Sequence, residues 1–89
     1  MAYQIDLKKI REYIRYLEKF KKDLEKDLAI FESDLKKAHE FWDDERYTNT
    51  VEAKNKIVKE LKNLIDSTKR AIKNLNEMHD LYQIYLRRK

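Results

Sequence analysis

Glu40-Phe41-Trp42-Asp43-Asp44-Glu45 interrupts two long helical patterns and decides how this chain folds. It holds the only tryptophan and four acids, in a chain of 89 residues with no glycine and no proline. Where no residue frees or breaks the backbone, a reversal has to be specified by side chains that cap helices. The stretch therefore predicts the tip of a helical hairpin.

Upstream of the tip, apolar residues recur at alternating steps of three and four, the period of a helix that buries one stripe. Leu7, Ile14, Lys21, Leu28, Leu35 and Trp42 occupy one seam position, a, and Tyr3, Ile10, Leu17, Leu24, Phe31 and Ala38 the other, d. Lys21 breaks the apolar series: its stem can lie along the seam while its ammonium reaches water, or it marks a polar point that sets register. Downstream, Val51, Val58, Ile65, Ile72, His79 and Leu86 fall at a, and Tyr47, Lys54, Leu61, Thr68, Leu75 and Tyr82 at d. The expected fold is all-α, an antiparallel two-helix hairpin forming a single domain over 1–89. Helix 1 is expected over about 4–41, the turn within about 42–49, helix 2 over about 49–86, and a basic tail over about 87–89. Asp43, Asp44, Thr48 and Asn49 are all capping residue types, and Asn49 has Glu52 three residues on in capping-box register.

A two-stranded seam uses two positions per heptad, and this chain offers a third. Position g carries Ile57, Leu64, Ala71, Met78 and Tyr85 in the second segment and Tyr13, Phe20 and Phe41 in the first, with Tyr16 nearby. Leaving each large apolar side chain in water forgoes about 1.5–3 kcal/mol. A second hairpin, from another copy or another protein, is expected to complete a four-helix bundle. The expected partner interface comprises Tyr13, Phe20, Phe41, Trp42, Tyr47, Ile57, Leu64, Met78, Tyr82 and Tyr85, with Trp42, Asp43 and Asp44 as the turn motif. The end of the chain, Leu81-Tyr82-Gln83-Ile84-Tyr85-Leu86, is apolar nearly all round. In an antiparallel hairpin it falls beside Tyr3, Ile5, Leu7 and Ile10, where core packing is expected; an exposed partner-binding end is the alternative.

Charged residues make up 43% and hydrophobic residues 42% of the chain, the profile of long helices and coiled coils. A core built from so short a chain is marginal, which again points to a partner. The absence of cysteine excludes disulfides and thiolate metal sites. No secretory signal and no membrane span are read from the sequence, so a cytoplasmic protein is expected. The net charge of +4 invites a nucleic-acid reading, but residues 1–42 carry 10 basic and 9 acidic side chains and residues 43–89 carry 11 and 8, so the terminal Arg87, Arg88 and Lys89 account for most of the excess. The bases between Lys54 and Lys73 alternate with Glu60 and Asp66 at helical spacing and read as a solvated face.

The chain is read as non-enzymatic, with no catalytic, metal or cofactor-binding residues. His39 and His79 are far apart in sequence, and no nucleophile has a paired base. The carboxylates Glu40, Asp43, Asp44 and Glu45 lack the ligand spacing of a calcium loop and suit helix capping instead. A phosphate-cradling loop needs the glycine this chain lacks.

In this arrangement the chain resembles the WXG-type small helical hairpins associated with type VII secretion in bacteria. The resemblance covers the whole chain, and its motif is Trp42-Asp43-Asp44 near mid-chain, followed by Tyr47 and Val51 at helical spacing. Asp44 stands where the family usually has glycine, as in the small helical proteins that accompany LXG-domain toxins. The family's export signal, an aromatic followed four residues later by an acid beyond the second helix, is absent: Tyr82 leads to Leu86 and Tyr85 to Lys89. Phe41 and Glu45 have that spacing, but at the turn. The resemblance implies an accessory chaperone or adaptor that binds the helical domain of a larger secreted toxin, with a second small helical protein as a further partner. It also implies co-export through type VII secretion as one fate; a homodimer when the chain is alone is expected from the wide apolar face. Two other readings compete with it, a self-assembling structural coiled-coil module and a nucleic-acid-binding hairpin using Lys54 to Lys73 and the basic tail.

Overall fold

The structure, a computed structural model, describes the backbone of residues 6–39 and 45–88 and the side chains of 6–37 and 49–88. Two helices account for it, α1 over Leu7–His39 and α2 over Glu45–Arg87, with no strand among the described residues. The molecule measures 68 × 19 × 17 Å. A helix the length of α2 is itself about 64 Å long, so α1 lies beside α2 rather than end to end with it. The short connection then makes the two antiparallel, the expected hairpin.

Packing follows the heptads residue by residue. From Leu7 to Leu35 every a and d residue of α1 is buried or half-buried, and every other described side chain of that helix is exposed. On α2 the seam runs from Val51 through Val58, Ile65, Thr68, Ile72 and Leu75 to Tyr82. Among the described residues only Ile14, Leu28, Ile65 and Thr68 are buried, and none of them completely. Thr68 tolerates this because its hydroxyl donates to the Leu64 carbonyl at 2.8 Å, so no polar group is left unmet. Lys21 lies half-buried in the seam with its Nζ 3.8 Å from Glu25 Oε1, the stem packed and the charge outside.

Both helices begin elsewhere than the sequence reading placed them. Helix 1 was expected from about residue 4, but it starts at Leu7 because Asp6 caps it. The Asp6 Oδ1 accepts from the amides of Lys8 at 3.0 Å and Lys9 at 3.2 Å, and the Asp6 carbonyl accepts the first helical bond, from Ile10. Helix 2 was expected from near Asn49, yet α2 already runs from Glu45. Asn49 and Glu52 are therefore interior to it and form no capping box. Glu45 opens the helix with an acid, the residue type its positive end favours. At the other end, the Arg88 amide is shared between the carbonyls of Ile84 and Tyr85 at 3.2 Å each.

The two helices are unequal, 33 residues against 43. With α1 ending at His39 and α2 beginning at Glu45, residues whose numbers sum to about 84 lie at about one level. The last ten residues of α2 thus run past the start of α1 by about 15 Å. The chain exposes 7918 Å², where a compact monomer of its 11.0 kDa exposes about 5,600 Å². Among the described residues no helix is long and apolar enough to cross a membrane.

Candidate interaction face

Reversing one helix of a pair also reverses the side on which its flanking positions lie. In an antiparallel hairpin both g rows therefore share one broad side, and both e rows share the other. The two sides differ sharply here. On the e side α1 presents Arg11, Glu18, Glu25 and Glu32, and α2 presents Asn55, Lys62, Lys69, Asn76 and Gln83, with no apolar residue. On the g side stand Tyr13 and Phe20 of α1 and Ile57, Leu64, Ala71, Met78 and Tyr85 of α2. The adjoining c row adds Tyr16, Ile30, Ala53 and Leu81. Charge on this side is sparse and lies mostly on α1, where Asp23, Asp27 and Asp34 approach the tip.

Of the ten residues expected at a partner interface, Tyr13, Phe20, Ile57, Leu64 and Tyr85 are exposed on this one side. Met78, on the same row, is half-buried. Tyr82 is half-buried as well, at a seam position rather than on the face. Phe41, Trp42, Asp43 and Asp44 lie outside the described residues, as does the side chain of Tyr47. Two exposed apolar residues, Ile30 at 49% and Tyr16 at 65%, belong to the c row. A heptad reading that stops at a, d and g misses Ile30; following the next position round the helix finds it.

The α1 part of the face is aromatic. The rings of Tyr13 and Tyr16 stack at 6.3 Å between centroids and 28° between planes. One turn on, Tyr16, Lys19, Phe20 and Asp23 line a shallow groove open to solvent. Such a groove can receive a side chain from a neighbouring helix; it is too open to hold a substrate away from water. Among the described residues no group of three potential metal ligands comes together.

The overhanging end of α2 departs from the core packing expected for it. Leu81, Ile84, Tyr85 and Leu86 are exposed, Leu81 to 66%, while Tyr82 and Gln83 are half-buried. Described α1 stops short of this level. His79, at the last seam position before the exposed end, has its Nδ1 3.3 Å from Asp80 Oδ1 and its Nε2 buried without a hydrogen-bond partner.

Comparison with known protein families, with curated proteins and with solved structures returns no match to this chain. The candidate face accordingly rests on its own geometry.

Proposed function

We propose that this chain is a non-catalytic helical adaptor whose apolar side is covered by the helices of a larger protein. The observation that supports this is the contrast between the two sides of the hairpin. The seam is filled along α1 by a and d residues alone, and a further row of large apolar side chains remains on one side only. A monomer has no use for that row, because each such side chain left in water forgoes about 1.5–3 kcal/mol. In our reading the larger protein is a type VII secreted toxin bound through its helical domain. The hairpin shields that domain's apolar surface in the cytoplasm and supports its export, by forming a shared core rather than by chemistry.

The test is co-expression with the helical domain of a toxin encoded beside this chain, followed by pull-down and a binding isotherm. Phe20→Asp, Leu64→Asp and Met78→Asp each place a charge where partner helices close, and each is expected to weaken binding about 30-fold or more, the scale of an interface hot spot. Phe20 and Leu64 are exposed in the free hairpin, so these two variants keep their helicity. Lys62→Glu, on the e side, is the control and leaves affinity within about twofold. Wild-type binding by all three face variants overturns the proposal.

A further inference from the structure

The polar side of the hairpin carries a charge pattern that neither helix shows alone. Next to each e row, going round the helix, lies a b row, and the two rows of both helices make up this side. Between the levels of Arg11 and Lys22 on α1, which are those of Lys73 and Lys62 on α2, every e and b position is charged and exposed. Arg11, Arg15 and Lys22 come from one helix and Lys62, Lys69 and Lys73 from the other, with Glu18 and Asp66 as the acids among them. Among the described residues none of the six bases is in a salt bridge. The other described e and b positions hold four bases and four acids, and the described c and g positions three bases and five acids. The excess of positive charge is therefore local. On α2 alone these bases read as a solvated face; the hairpin sets the bases of α1 beside them.

From this juxtaposition we infer that the six bases dock the rod, lying flat, on a membrane surface of anionic lipids, with the apolar side turned away from the lipid. Shape selects this occupant. Two antiparallel helices present their e and b rows as a flat strip, about 16 Å long here and as wide as the 19 Å cross-section of the molecule. A bilayer surface meets such a strip over its whole area. The strip is too broad to enter a duplex groove about 12 Å wide, and it holds no aromatic ring on which a single strand could stack. A cluster of this size on a helical surface is also what anionic headgroups attract. Each base near such a surface raises partition about fivefold, so the six bases, less the two acids, raise it about 500-fold over an uncharged rod. The contact is peripheral and reversible, because it holds no apolar side chain to insert and salt screens it over about 8 Å. It uses the side that the proposed function leaves bare, and it holds whatever covers the apolar side.

Co-sedimentation with vesicles tests it, comparing pure phosphatidylcholine with equal parts of phosphatidylcholine and phosphatidylserine. The full chain should bind the mixed vesicles and not the neutral ones. Its partition should fall at least about tenfold between low salt and 1 M, where the screening length shrinks to about 3 Å. Arg15→Glu combined with Lys69→Glu, both exposed, should lower partition at least about tenfold. Lys9→Glu combined with Lys37→Glu changes the net charge equally from the apolar side, and should leave it within about threefold. Glu18→Gln combined with Asp66→Asn should raise partition at least about fivefold, an outcome that no loss of folding can imitate. Phe20→Asp should bind as wild type. No binding to the mixed vesicles at low salt, equal binding to neutral ones, or equal losses from the two charge-reversed pairs overturns the inference. Loss of binding with Phe20→Asp would put the lipid on the apolar side and overturn it as well. Duplex DNA bound more tightly than the vesicles, and released by the Arg15 and Lys69 pair, would assign the patch to nucleic acid instead.

Discussion

At Asp6 one carboxylate sets where α1 begins. It satisfies two of the amides that a helix start leaves without partners, at 3.0 and 3.2 Å. Asp6→Ala is expected to lower unfolding free energy by about 1 kcal/mol, read as a lower urea midpoint with unchanged slope, and Asp6→Asn should retain most of it because the amide oxygen accepts the same bonds. An alanine variant that melts with wild type would mean the cap contributes nothing. The sequence reading passed over Asp6 because the apolar period runs on through Tyr3, and periodicity reports the buried face of a helix, not where its backbone stops. Lys21 was legible from sequence alone. An ammonium at a seam position has only a few physical outcomes, and the structure takes the one that leaves its charge in water.

At the scale of the helix, seam and face obey different energetics. Ile65, 6% exposed, fills the seam; Ile57, 44% exposed, stands on the face. Truncating each to alanine removes the same atoms. Ile65→Ala is expected to cost about 2–4 kcal/mol, while Ile57→Ala in dilute, monomeric protein should cost less than about 0.5 kcal/mol. Chemical denaturation of both variants at low concentration checks the contrast; equal losses would mean the face is covered within the hairpin. The start of α2 illustrates competing local signals. Asn49 and Glu52 have capping-box spacing, but the same residues also lie within an uninterrupted heptad from Tyr47 and Val51 onward. Continued helix wins, since each added residue gains a backbone hydrogen bond whereas a new start forgoes several.

As a whole molecule the hairpin is a rod. Its radius of gyration is 20.1 Å, against about 12 Å for a compact domain of this length. Small-angle scattering of the dilute monomer, or of Phe20→Asp if wild type pairs too tightly, is expected to give at least about 20 Å; a value near 12 Å would mean the helices fold onto themselves. The surface that comes with this shape is what the proposed partner would cover.

The sequence by itself determined that there would be two helices, one reversal near Trp42, and which residues would meet in the seam. Those properties are written in local period and in the single break of that period, and a helix's buried stripe follows from spacing alone. Only the tertiary structure decided the rest. Antiparallel docking brought both g rows to one side, because reversing a helix reverses its flanks. The extra length of α2 carried Leu86, a seam residue, beyond the described start of α1, where it is exposed. Counted along the chain, the charge is nearly even between residues 1–42 and 43–89. Folded into a hairpin, the excess bases of residues 6–22 and 67–88 gather at the open end, because antiparallel helices bring the two ends of the chain together.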